Sequence, residues 1–394
     1  MIGTSSGLKR FVLLGALVAC VVLLSSCTGT AERSGGVTTG AQLREAQARV
    51  DKLYAGTHTR PPADSPKPAA GKNLWVISYG QSFVSSATTA AAAEKAAETL
   101  GWRVTVVDAK FNPATALDGI RQAVAAGADA LFTIYWDCSA VKAGLIAARQ
   151  AGVVTVANEA QDCEGKPLYD HVVSYNPGFY DGNDGGFLGY LRGWAAALAD
   201  YTIVKTEGKA KAIVFSQTDT VSSRVAYDGY VDQLAACAGC EVVSTVEYVG
   251  SEVGPALQQK AEQALLQHPD ANALTVSGDA NLTGGVIAAL KSSGRYGKIV
   301  IAGGEGSAAT IPLMRSYPSW WGFSNLPISW EGWAAVDAIN RIFNSGTPAA
   351  KSGIGYQIVD KEHNTPPGDE AVAYKNGEPI DFASLYRQVW STAP

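Results

Sequence analysis

The chain has 394 residues, 47% apolar and 17% charged, with a formal net charge of −5. This composition can bury a large core, and the length suits two lobes better than one. No basic arm or run of Lys and Arg appears, so nucleic-acid binding has no electrostatic footing.

At the start, Lys9 and Arg10 precede an apolar run from Phe11 to Leu24 and then Ser25-Ser26-Cys27. A charged beginning, a short apolar stretch and small residues before a cleavage point make a secretory signal. The run is short against the roughly 20 apolar residues a membrane-spanning helix needs. Leu24-Ser25-Ser26-Cys27 resembles the lipobox of bacterial lipoproteins. The resemblance implies that residues 1–26 are removed and that Cys27 carries lipid. The remainder then faces an oxidising, extracytoplasmic solvent, anchored at the cell membrane.

Residues 27–72 read as a lipid-anchored tether. A Gly/Ser/Thr-rich stretch leads to helical spacing at Leu43, Ala46, Val50 and Leu53, and Pro61, Pro62, Pro66 and Pro68 then stiffen a spacer.

From Asn73 a strand–helix alternation begins. Strands are expected at Leu74–Ile77, Val104–Val107, Ala130–Ile134 and Val153–Val156, with helices at Ser85–Leu100, from Pro113, and at Ser139–Gln150. Asn112 before Pro113 is a strong helix start. After a pause at His171–Ser174 the pattern restarts with an aromatic, Gly-rich helix over 178–200. Further strands are expected at Ala212–Phe215, Glu241–Tyr248, Ala273–Val276, Ile299–Ala302, Gly322–Asn325 and Tyr356–Val359. The helices between them are Ser222–Ala236, Pro255–Gln267, Leu282–Lys291, Ser307–Met314 and Ser329–Phe343. Continuous apolar strands separated by helices indicate parallel sheets covered on both faces.

Four cysteines remain beyond Cys20 and Cys27: Cys138, Cys163, Cys237 and Cys240. An even number outside the cytoplasm suggests disulfides, with three possible connectivities. The local choice pairs 138 with 163 and 237 with 240. Cys-Ala-Gly-Cys also fits a redox pair, but that chemistry wants its first cysteine at a helix N-terminus, and Cys237 ends a helical pattern. Zinc is disfavoured because no histidine lies near these cysteines, and no metal or other cofactor is expected.

Several motifs resemble the type I periplasmic binding proteins, the ribose- and galactose-binding family of ABC importers. They are Leu100-Gly101-Trp102, Val107-Asp108, Asn112-Pro113-Ala114, Ala126 to Leu131, Ala151-Gly152-Val153-Val154, Gly278-Asp279, Gly303-Gly304-Glu305-Gly306 and Asn325-Leu326-Pro327. The resemblance spans Asn73–Asp360. It implies an α/β fold of two Rossmann-like lobes with parallel sheets, joined by a three-crossover hinge near Ser174–Asn176, Asn325–Pro327 and Ile354–Gln357. The N-terminal lobe would comprise 73–174 plus 326–355, and the C-terminal lobe 175–325 plus 356–394. A monomer binding a sugar-like small molecule and docking on a membrane ABC permease is implied, with no catalysis.

Ligands of open parallel sheets lie where the strand-exit loops diverge. Those loops nominate Tyr79, Gln81, Phe83, Tyr135, Trp136, Asp137, Asn158, Glu159, Tyr248, Asp279, Glu305 and Asn325 as ligand-binding residues, and the resemblance adds Arg224, inside Ser222-Ser223-Arg224-Val225, where the family holds a ligand-binding arginine. Aromatic faces cover sugar C–H surfaces, while carboxylates, amides and guanidinium fork onto hydroxyls. Phe83 and Trp136 also suit interlobe packing, Asp279 suits a helix cap, Arg224 and Glu305 suit a cross-cleft pair, and Trp320 and Trp321 suit the core. Ribose binders carry Asp-Arg where this chain has Asn158-Glu159, which points away from ribose.

Other functions fit less well. Gly304 to Ala309 formally matches a dinucleotide fingerprint, but it falls late and lacks the acidic residue some 20 positions on. No Gly-x-Ser-x-Gly elbow or His-Glu-x-x-His helix appears. A transcriptional regulator would carry a DNA-binding helix-turn-helix in place of the leader. A receptor feeding a membrane sensor kinase shares every feature of an importer component and stays open.

Overall fold

A computed structural model describes residues 35–180, 186–369 and 371–393. The leader and the proposed lipidation site Cys27 lie outside these residues, as does part of the stretch expected as a helix from Gly178.

The chain begins with α1 (Gly35–Ala55). The first βα run is β1 (Asn73–Ser78), α2 (Val84–Thr99), β2 (Arg103–Asp108), α3 (Pro113–Ala125), β3 (Ala130–Ile134), α4 (Cys138–Gln150), β4 (Val154–Asn158) and β5 (His171–Val172). Its strands form an all-parallel sheet in the order β2-β1-β3-β4-β5. Every residue of β3 is buried, as a strand covered on both faces requires. Asn112 caps α3 as expected, its Oδ1 accepting from Ala114 N at 2.9 Å.

The second run is α5 (Phe187–Lys205), β6 (Lys211–Gln217), α6 (Val221–Ala235), β7 (Glu241–Tyr248), α7 (Pro255–Gln267), β8 (Ala273–Thr275), α8 (Asp279–Asn281), α9 (Ile287–Ser292), β9 (Val300–Ala302), α10 (Ile311–Ser316) and β10 (Trp321–Asn325). After α11 (Ile328–Phe343) and β11 (Gln357–Val359) come the short pair β12 (Tyr374–Lys375) and β13 (Glu378–Pro379), then α12 (Phe382–Thr392). The second sheet has the order β11-β10-β9-β8-β6-β7 and is parallel except for the antiparallel β10–β11 pair.

The chain passes between the sheets where expected. It leaves β5 through Ser174–Asn176, returns from β10 through Leu326-Pro327, and re-enters the second sheet at β11. Between the last two passages α11 lies on α2 of the first lobe. The approach is close: a Cβ on Gly332 would stand 2.5 Å from Ala93 N and 2.7 Å from Thr89 O. Only glycine fits there. Both expected disulfides form. Cys138–Cys163 ties the start of α4 to the loop after β4, and Cys237–Cys240 closes the turn between α6 and β7.

Two segments depart from the sequence reading. From Gly35 onward, the stretch expected as a tether is docked on the fold. α1 packs on α5 and β11, with Ala46, Val50 and Leu53 fully buried. Arg49 pairs with the buried Asp200 at 2.6 and 2.8 Å. The apolar stripe of α1 finds a partner in the Ala-rich α5, and burial outweighs a solvated spacer. Residues 57–59 then run along the hinge. Thr57 N donates to Tyr356 O and Thr59 N to Gly353 O, both at 3.0 Å. His58 Nδ1 accepts from Gly355 N at 3.0 Å. Ala69 N reaches Asn340 Oδ1 on α11 at 2.9 Å, so this segment forms a fourth strand of chain over the hinge.

The second departure is α12, expected with the C-terminal lobe. It lies on α11 of the first lobe. Trp390 stacks on Trp333 at 5.5 Å and 9°, and Phe382 stacks on Trp330 at 5.0 Å and 11°. The stripe Phe382, Tyr386, Trp390 has i, i+4, i+8 spacing, and the aromatic face of α11 is what it buries. Among the described residues no helix is long and apolar enough to cross a membrane.

Candidate ligand site between the two sheets

Each sheet has a point where its strand order reverses, between β1 and β3 in the first and between β6 and β8 in the second. Loops leaving the two strands there diverge and open a crevice. The exits of β1 and β3 carry Tyr79, Phe83 and Tyr135. Those of β6 and β8 carry Gln217, Thr220, Ser277 and Gly278. These residues line one pocket, together with Glu159, Leu191, Trp194, Ser222, Ser223, Ala226, Glu305 and Leu326. It encloses about 520 Å³ counting its solvent mouth.

Three hydrogen bonds hold the lobes together across it. Tyr79 OH donates to Asp219 Oδ2 at 3.1 Å, and the Ser85 hydroxyl on α2 donates to Glu305 Oε2 at 2.5 Å. At the N-terminus of α6, Val221 N donates to Asp137 Oδ2 at 3.1 Å. The cleft is therefore closed.

The aromatic wall is built from mutually perpendicular rings. Tyr79 meets Phe83 at 6.2 Å and 85°, Phe83 meets Tyr135 at 5.9 Å and 81°, and Tyr79 meets Tyr135 at 6.1 Å and 67°. Tyr135 and Glu159 are both held at positive φ, 63° and 47°. Non-glycine residues in that region cost energy and persist where surroundings fix them, commonly at ligand sites.

The polar wall is acidic. Tyr135 OH donates to Glu159 Oε1 at 3.0 Å. Behind it, Glu331 accepts from Asn158 Nδ2 at 2.8 Å and from Tyr175 OH at 2.7 Å. Burial, then repulsion from Glu331, pushes the Glu159 carboxyl well above its usual range. Burial, then repulsion from Asp279 and Glu159, does the same to Glu305. Burial raises Glu331 to about 8, against hydrogen bonds that favour its ionised form. Among the described residues, no Lys, Arg or His lines the pocket.

Of the residues nominated from sequence, Tyr79, Phe83, Tyr135, Glu159 and Glu305 line the pocket. The others stand around it. Trp136 is buried beneath Tyr79, ring centroids 5.1 Å apart. Asp137 bonds Gln161 N as well as Val221 N. Asn158 orients Glu331. Gln81 is exposed and its Nε2 donates to Ser78 Oγ at 2.7 Å. Tyr248 is buried behind Ser277 in the second core. Asn325 donates to Val372 O at 2.8 Å and holds the C-terminal segment. Asp279 binds the 303–307 turn, accepting from Glu305 N at 3.1 Å and Ser307 N at 2.6 Å. Gly304, at φ 93°, makes room for it, because a Cβ there would stand 2.3 Å from Asp279 Oδ1.

Arg224 is exposed and donates to Thr218 O at 2.5 Å, so neither the pocket wall nor a pair with Glu305 includes it. The reason is helical geometry. Ser222 and Ser223 face the pocket, and each further residue turns about 100° around α6. Trp320 stands outside the site under Lys205, 3.4 Å from Nζ, and Trp321 belongs to the second core.

Sequence reasoning missed Leu191 and Trp194, which reach the pocket from the body of α5 instead of a strand exit. It also missed Gln217, Asp219 and Thr220. The signal was available there: the loop after β6 is the second lobe's counterpart of the one carrying Tyr79.

A two-lobed α/β fold with a closed cleft at both switch points defines a hinged small-molecule binder. Residues 76–347 match the family model described as a periplasmic binding protein domain. The chain belongs to this family, whose members are extracytoplasmic, non-catalytic binding proteins. Similar solved structures include a galactofuranose binding protein (16% identity, 74% of this chain and 95% of that one, TM-score 0.63). Another is a 5-methylthioribose transporter solute binding protein from Thermotoga lettingae with 5-methylthioribose (14%, 77% and 89%, 0.64). A third is an ABC transporter solute binding protein from Mycobacterium smegmatis with bound glycerol (16%, 77% and 100%, 0.63). No curated protein sequence matches the chain.

Proposed function

We propose that this protein is the lipid-anchored solute-binding component of an ABC importer and takes a sugar-like polar molecule into the pocket between its lobes. The observation carrying this reading is the pocket itself, walled by Tyr79, Phe83 and Tyr135 on one lobe and by Gln217, Thr220 and Ser277 on the other. A solute that touches both lobes favours the closed form by its extra contacts, and a permease can read that form. Sugar-binding neighbours and the lipobox-like leader support the reading.

A ligand that binds only the folded protein raises its melting temperature. Screening sugars and polyols against the purified chain therefore yields at least one such ligand, and a panel with no shift overturns the reading. Tyr79→Phe removes one cross-cleft bond, worth about 0.5–1.5 kcal/mol net. Calorimetry with that ligand should show a two- to tenfold loss of affinity. Cys27→Ser releases the protein from the membrane fraction of the native host. Retention there overturns the anchor.

A further inference from the structure

We propose that the solute carries a positively charged nitrogen, as an amino sugar or aminated polyol does, seated between the three perpendicular aromatic rings and the carboxyl groups of Glu159 and Glu305. This rests on the solute-binding reading above and narrows its ligand class.

Four observations converge. First, the rings of Tyr79, Phe83 and Tyr135 line the pocket at 67–85° to one another, and aromatic ring faces attract cations. Second, Glu159 and Glu305 line the same space, 5% and 6% exposed. Their partners are neutral groups or other acids: Tyr135 and Glu331 for the first, and Ser85, Asp279 and Glu159 for the second. Buried carboxylates are ordinarily paired with a cation. Third, among the described residues no basic side chain lines this pocket, and a ligand cation would supply the charge that its carboxyl groups lack. Fourth, the Asn281 amide is 1% exposed, and among the described residues neither Nδ2 nor Oδ1 has a partner. Its Nδ2 stands 3.2 Å from where a Cβ on Gly278 would sit, and Phe83 stands 3.6 Å from the same point. Gly278 is itself part of the pocket wall, so its missing side chain leaves the Asn281 amide next to the ligand space.

The proton balance follows. Burial and mutual repulsion among Asp279, Glu159, Glu305 and Glu331 favour the protonated forms of Glu305 and of the Glu159–Glu331 pair. An ammonium group entering the pocket ionises Glu305, whose proton leaves to solvent. No covalent bond to the ligand forms or breaks. Affinity for the cation therefore rises with pH as long as its nitrogen stays charged. A neutral sugar accepting a hydrogen bond from protonated Glu305 shows the opposite slope.

The test uses matched pairs on the purified chain: glucosamine against glucose, galactosamine against galactose, and mannosamine against mannose, with the N-acetyl forms as uncharged controls. At pH 6.5, thermal shift and calorimetry should favour at least one amine over its neutral mate by tenfold or more, with proton release read from buffers of different ionisation enthalpy. Glu305→Gln keeps an acceptor for Ser85 and should erase most of that preference. If neutral members bind as tightly as the amines, the cation proposal is overturned and solute binding stands. If no member of any pair binds, the cation proposal falls, and the solute-binding reading is decided separately by the wider sugar and polyol screen.

Discussion

Glu331→Ala should lower the unfolding free energy by about 2–6 kcal/mol, because it strips the acceptor from two buried donors at about 1–3 kcal/mol each. Those donors are Asn158 Nδ2 and Tyr175 OH, 2.8 and 2.7 Å from a side chain with no solvent exposure. Urea denaturation reads the loss, and a change below 1 kcal/mol would show that neither bond matters. Glu331→Gln makes the finer test. Its carbonyl still accepts a hydrogen bond, and its amide donates to Glu159.

The pH dependence distinguishes the parent chain from either variant. The Glu331 carboxyl titrates at about 8 in the fold against a reference of 4.5. The folded chain thus binds this proton more tightly than the unfolded chain. The stability it contributes is fully present below about 4.5 and is lost as pH rises through about 8. Each unit of difference is worth about 1.4 kcal/mol, so the decline amounts to several kcal/mol. Glu331→Gln removes its share of the decline and leaves the shares of Glu159 and Glu305, which run in the same direction. An unaltered slope in that variant would place the titration elsewhere.

Glu331 also connects the hinge to the site. Tyr175 lies on the first passage between lobes, Asn158 ends β4, and Glu159 lines the pocket. A charge arriving beside Glu159 therefore acts one residue away from the hinge strand. Opening moves the lobes, and the carboxyl that fixes Tyr175 is the one that faces Glu159 on the pocket wall.

The strand–helix alternation was legible because both sheets are covered on two faces, which turns each strand into an unbroken apolar run. Ala130–Ile134, Glu241–Tyr248 and Pro255–Gln267 have the expected bounds in the fold. The strand-exit rule found Tyr79, Phe83, Tyr135, Glu159 and Glu305, since a parallel sheet can present a ligand to those loops and few others. Trp194 was not legible, because a mid-helix residue joins the site only through the way α5 packs against α6. Arg224 misled, since motif matching places a residue on a helix but not on a face of it. The terminal segments show the same limit. Leu43, Ala46, Val50 and Leu53 announce an amphipathic helix, and nothing in that spacing names α5 as its partner.

Deleting residues 35–55 should therefore destabilise the protein by at least about 5 kcal/mol, where loss of a solvated spacer would leave it unchanged. Val50 and Leu53 are fully buried, worth about 1.5–3 kcal/mol each. Arg49 is the cation bound to Asp200, whose side chain has no exposure. Without it that carboxylate keeps, among the described residues, the Tyr180 hydroxyl at 2.6 Å and Gln233 Nε2 at 2.9 Å. Breaking a buried pair costs about 3–5 kcal/mol. Arg49→Ala alone should reproduce that second part in thermal and urea unfolding. A deletion variant that melts with the full chain would return the segment to a tether.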